Sequence, residues 1–202
     1  MSSGKRLDRK PALAALVLIA LWPLAALAHL GSGEAGGFLS GLSHPVSGLD
    51  HVIAMVAVGL WGAQLGMPAL WVLPVAFPML MAFGGMLGLI GIPLPGVEIG
   101  SAVSAVVLGA MVLGQVRLPL FAAVGMVAFF AVFHGHAHGT ELEPGQNAML
   151  YSLGFVMATG MLHAAGITGG LIHRWDLGRQ ALRGAGALVT AGGLYFLWGA
   201  VG

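Results

Sequence analysis

Two short stretches of this chain combine imidazoles with carboxylates at spacings suited to binding a metal ion. The first is His44-Pro45-Val46-Ser47-Gly48-Leu49-Asp50-His51. On a helix, His44 and His51 are two turns apart and share a face, with Asp50 one residue round it. Pro45 suits a helix N-terminus. The second is Phe133-His134-Gly135-His136-Ala137-His138-Gly139-Thr140-Glu141. His134 and His138 stand at i,i+4, so a helix presents both to one point, as zinc helices do. Glu141 continues that face, and His136 points elsewhere as a supporting or ingress group. A His-rich tract is otherwise a solvent-exposed metal sponge, and an Asp beside a His otherwise orients it or caps packing. With no Cys in the chain, thiolate ligands, disulfides and Cys nucleophiles are ruled out. Nitrogen and oxygen donors without sulfur suit Ni²⁺, Co²⁺, Zn²⁺ or Cu²⁺ better than Cu⁺.

Composition dictates what must position these groups. Of 202 residues, 58% are apolar and 7% charged, against about 25% charged in a soluble domain. That excludes a soluble enzyme, a nucleic-acid binder and a disordered chain. Residues 1–28 read as a cleavable signal peptide: Lys5, Arg6, Arg9 and Lys10 lead an apolar run that ends in Ala26-Leu27-Ala28. Cleavage makes His29 the mature N-terminus, whose amine and imidazole together form a possible chelate. Residues 29–202 then read as an all-α integral membrane protein, a six-helix transmembrane bundle. Its expected spans are 45–65, 68–91, 98–116, 118–137, 147–171 and 184–201. With the start outside, Arg117, Arg174, Arg179 and Arg183 all fall in inner loops, whereas Glu34, Glu98, Glu141 and Glu143 fall outside. Both motifs then open outward, and both termini of the mature chain are expected on the periplasmic or extracellular side.

Further polar groups lie within or beside the spans, where ionisable side chains are costly and tend to mark function. Glu98 opens the third span at the outer level, either as an ingress carboxylate or as a solvated charge favoured by the helix dipole. His163 lies inside the fifth span, one turn after Thr159, and is either a packed, hydrogen-bonded His or a deeper station. His173, beside Arg174, reads as interfacial. Phe77-Pro78 reads as a kink or packing element, or else an apolar constriction. Gly62/Gly66, Gly84/Gly88 and Gly166/Gly170 have the spacing of close helix packing.

The H-x₅-D-H of His44–His51 and the FHGHAHGTE of Phe133–Glu141 resemble the two signatures of the HupE/UreJ family of nickel/cobalt permeases, in order and in topology. The resemblance covers essentially the whole mature chain. It implies secondary import of Ni²⁺ or Co²⁺ through the bacterial inner membrane, serving hydrogenase or urease maturation or cobalamin synthesis. It maps the family pattern onto His44, Asp50, His51, His134, His138 and Glu141, with Glu98 matching an outer acidic position. The ion, with Zn²⁺ also compatible, is then cargo and no permanent cofactor is expected. The expected partners are the metal ion and lipid, with no nucleic acid. A phosphate-binding loop of the Walker type is absent from the sequence, so no ATP hydrolysis is expected. Two other classes use the same ligands: a non-conducting membrane metal-binding or assembly protein, and an intramembrane metalloenzyme. The latter lacks an H-E-x-x-H motif, and no enzyme activity is expected.

Overall fold

In the computed structural model, residues 32–142 and 145–202 are described. The signal segment, the expected cleavage after Ala28 and the expected ligand His29 lie outside them. The described residues form seven α-helices: α1 (Ser32–Ser47), α2 (Leu49–Leu65), α3 (Ala69–Leu89), α4 (Val97–Gly114), α5 (Leu120–Thr140), α6 (Ala148–Gly170) and α7 (Asp176–Val201). A single 3₁₀ turn, Leu171–Arg174, joins α6 to α7. Five spans are long and apolar enough to cross a membrane, and α1 with α2 make a sixth when the bent pair is taken as one.

That first span departs from expectation. Residues 45–65 are not one straight helix. Gly48 is extended, with φ −99° and ψ 115°, and the axes on its two sides differ by 81°. Pro45 lies in the last turn of α1 instead of opening a helix. His44 and His51 therefore occupy different helices, and helical periodicity is not what brings them together. The last span also begins earlier than expected, at Asp176. Arg179 and Arg183 accordingly stand on α7, where Arg179 pairs with Asp176, and not in a loop.

Small residues set how the helices pair. α3 packs along α5, α4 along α7, and α1 and α2 along α6. A Cβ at Gly84 would fall on the Val132 carbonyl, and one at Gly135 on the Met81 carbonyl. The α3–α5 seam is thus built from glycines on both sides, including two from the His-rich motif. Gly166 meets Val56 and Gly170 meets Leu60 in the same way across the α2–α6 seam. Gly62/Gly66 is a correction to the packing reading. Gly66 is the C-cap of α2 at φ 78°, with open space around it. Large apolar side chains such as Trp71, Phe121, Phe129 and Leu188 face outward. In lipid this carries no hydrophobic penalty, because tails are as apolar as the side chains.

Polar side chains bind the ends together. Asn147 caps α6, its Oδ1 accepting from the amides of Met149 and Leu150 at 3.1 Å each. Trp61 Nε1 donates to the Val116 carbonyl at 2.9 Å. Gln64 Nε2 donates to the Val112 carbonyl at 3.2 Å. These bonds tie α2 to the C-terminal end of α4 and the residues just past it, where helical donors run out.

Candidate metal site

The α3–α5 seam positions the site. With glycines at Gly135 and Gly139, α5 lies close against α3, and the intervening side chains turn toward α2 and α4. His134 and His138 project one turn apart, as their spacing predicts, and both reach His51 on α2. His51 Nδ1 is 3.1 Å from His134 Nδ1 and 3.0 Å from His138 Nε2. His51 is 3% exposed and His134 1%, so these two of the inner trio lie out of solvent, while His138 is part-buried.

A second constellation lies above it. α5 ends at Thr140, and Glu141 follows as its C-cap. Glu141 Oε2 accepts from His44 Nε2 at 2.9 Å and lies 3.3 Å from His138 Nδ1. The second contact is longer and less well aligned, since His138 Nδ1 makes no fully formed hydrogen bond. One donor atom from each of His44, His138 and Glu141 falls within 4.8 Å of the others, a spread that a single divalent ion can draw in. His138 belongs to both constellations, one nitrogen facing each.

Glu141 stands outside the spans and is a strong anion. Its carboxyl is held down to about 2, first by the close approach of His138 Nδ1 and then by the hydrogen bond from His44. Because the folded value lies below the ordinary 4.5, the carboxylate's stabilising contribution is complete above that value. It declines as pH falls below that value and is gone once pH has fallen through about 2. The Glu141 carboxyl carbon, followed by ¹³C NMR, is therefore expected to stay ionised from about pH 8 down to about pH 4. A midpoint at or above the ordinary value contradicts the contacts described.

His44, Asp50, His51, Glu98, His134, His138 and Glu141 all border one cavity of about 700 Å³. Tyr195 and Trp198 near the end of α7 close part of its wall. Asp50 and Glu98 border it without touching the imidazoles. Glu98 is exposed in the first turn of α4.

His163 is not brought into this cavity. It lies on α6, 1% exposed, behind Phe77. The Phe77 ring is centred 5.8 Å from that of His134 and 5.6 Å from that of His163. Neither nitrogen of His163 has a fully formed hydrogen bond, and Thr159 Oγ1 beside it has none either. The backbone at Pro74 makes a weaker approach to His163. Its carbonyl lacks a helical donor, because Pro78 has no N–H to offer. His136 is a tie: its Nε2 bonds the Ile92 carbonyl at 2.7 Å and fastens the α3–α4 loop. His173 bonds the Gly170 carbonyl at 2.9 Å, at the far end of α6.

Sequence reasoning missed Ser104. It is fully buried on α4, and its hydroxyl lies 2.7 Å from His134 Nε2. The only signal was a Ser101-x-x-Ser104 pair at one helical turn inside an otherwise apolar span.

The donor set fits a divalent transition ion. It offers imidazole nitrogens and carboxylate oxygens only, and buried donor atoms such as His51 Nε2 are without partners. Comparison with known proteins agrees with the motifs. The family model described as "HupE / UreJ protein" matches residues 16–196. "Protein HupE" from Rhizobium leguminosarum bv. viciae is 45% identical over 187 residues, covering 93% of this chain and 95% of that protein. No solved structure matches.

Proposed function

The chain belongs to the HupE/UreJ family, and from that premise we propose that it is a secondary permease for Ni²⁺ or Co²⁺, importing the ion through the bacterial inner membrane. The observation that carries this reading is the convergence of His44, His51, His134, His138 and Glu141, from three helices, at one end of the bundle. The donor types favour a divalent first-row ion over Mg²⁺ or Ca²⁺, which take oxygen ligands.

Charge distribution supports the direction. Glu98 begins α4 and Glu141 ends α5 at the histidine end of the bundle, whereas Arg117 lies between those helices at the other end. Arg174 lies just before α7 and Arg179 and Arg183 in its first turns, and the other end of α7 borders the cavity. All four arginines thus stand away from the site, which by the positive-inside rule faces it outward. Six spans, with α1 and α2 counted as one broken crossing, return the C-terminus to the outer side.

The route follows from the order of the groups. Asp50 and Glu98 make the mouth negative and concentrate cations there. The outer cradle of His44, His138 and Glu141 takes up the ion. The inner trio of His51, His134 and His138 receives it, and His163 is the next station beyond Phe77. Passage needs each site to bind firmly enough to accept and loosely enough to release.

Radiolabelled nickel or cobalt uptake by cells producing the protein tests this. We expect saturable uptake that falls to the level of cells lacking the protein when His138 is replaced by alanine, because both constellations lose a ligand. Uptake left intact by His138→Ala overturns the route. Saturable binding to the purified protein without flux in proteoliposomes favours the non-conducting alternative.

A further inference from the structure

We propose that Ser104 is a positioning residue that fixes which nitrogen of His134 carries the proton, and so aims the His134 lone pair at the ion. This rests on the reading of these imidazoles as metal ligands. It assigns a role to a residue outside both histidine motifs.

The argument is an account of protons. Ser104 Oγ lies 2.6 Å from the carbonyl oxygen of Ser101. Two oxygens so close need a proton between them, and a carbonyl has none to give. The single hydroxyl proton of Ser104 is therefore committed to Ser101. Toward His134 Nε2, 2.7 Å away, the hydroxyl can only accept, so Nε2 must be the N–H. A neutral imidazole has one N–H. Nδ1 of His134 is then the bare nitrogen, and it is the atom that faces His51 Nδ1 at 3.1 Å.

His138 reaches the same point by a parallel device. Glu141 Oε2 lies 3.3 Å from His138 Nδ1, and an anion there favours the proton on that nitrogen, with Nε2 as the bare one 3.0 Å from His51 Nδ1. Two lone pairs held by α5 thus converge on one atom of α2. A proton on His51 Nδ1 makes a full bond to only one of them. A cation there serves both, with His51 as a third donor. Metal-binding histidines commonly have the other ring nitrogen held by an acceptor, which fixes tautomer and ring orientation. Among the described residues of this trio, a carboxylate fills that place for His138 and a serine hydroxyl for His134.

Without the hydroxyl, Nε2–H of His134 has no acceptor in a buried pocket. The proton then favours Nδ1, where His51 can accept it, and the lone pair turns away from the trio.

The test uses the full chain purified in detergent. In metal-free protein labelled with ¹⁵N-histidine, the His134 signals, assigned by their loss in His134→Asn, are expected to show a protonated Nε2 and a bare Nδ1. Titration with Co²⁺, read by its visible absorption, is expected to give an affinity about 10–100-fold weaker in Ser104→Ala. The change should include an altered spectrum. Ser101→Ala should match the unsubstituted protein, because the carbonyl of Ser101 takes the proton and not its hydroxyl. Ser104→Cys, which keeps a weak acceptor, should fall between, and provides a second variant if alanine prevents folding. A proton on Nδ1 of His134 in the unsubstituted protein overturns the proposal, as does a Ser104→Ala protein with unchanged affinity and spectrum. If the unsubstituted protein does not bind Co²⁺, the metal reading fails, and the nitrogen signals still decide the role of Ser104.

Discussion

Replacing His51 by alanine is expected to weaken Co²⁺ or Ni²⁺ binding by at least about 10²-fold, more than the loss of an outer hydrogen-bond partner commonly costs. The reason is its place in the site. His51 Nδ1 is within 3.1 Å of both His134 Nδ1 and His138 Nε2, so its removal takes away the shared vertex and not one corner. Uptake is expected to fall to background as well. His51 is buried, and alanine also leaves a void beside His134. His51→Asn separates the two effects, because it refills much of the space while offering weaker donors. We expect thermal unfolding in detergent to recover with asparagine while affinity does not. Affinity restored by asparagine shows that volume, and not imidazole chemistry, makes His51 necessary.

The second large effect is expected at Phe77. Its side chain is fully buried, and its ring lies against both His134 and His163, across the proposed route inward. Phe77→Ala is expected to cost about 3–5 kcal/mol of stability, the usual range for emptying an aromatic core position. It is also expected to connect the outer cavity with His163. Carbethoxylation of His163 from aqueous solution, read by mass spectrometry, should rise sharply in Phe77→Ala. Phe77→Leu, which keeps an apolar plug, should leave it low. Continued protection of His163 in Phe77→Ala places the barrier elsewhere.

How much of this was legible in the residues differs from element to element. The apolar runs foretold α3, α4, α5 and α6 closely, because hydropathy over about twenty residues reports the solvent directly. His134 and His138 were legible because i,i+4 on a helix leaves little freedom. The His44–Asp50–His51 motif was legible as chemistry but not as geometry. Seven residues make two turns of a continuous helix, and the same seven also fit around a corner. The choice was made by Gly48, whose extended backbone is not forced by its neighbours. Glu141 was read as a continuation of the helical face, and its contacts follow instead from the end of α5. Ser104 was invisible for a different reason. A serine in a membrane helix is ordinarily satisfied by its own backbone, and only the nearness of α5 reveals its second bond. The early start of α7 was hidden because charged residues in its first turns look like loop.

His138 faces the outer cradle through Nδ1 and the inner trio through Nε2. A neutral ring has one lone pair, so it cannot ligate an ion on each side at once. Occupation above excludes occupation below, unless the ring gives up its last proton. For an ion to descend, the ring must exchange the nitrogen that holds hydrogen. On the proposed route that makes the residue a turnstile, with cargo advancing in single file and each passage resetting the ring before the next ion is admitted.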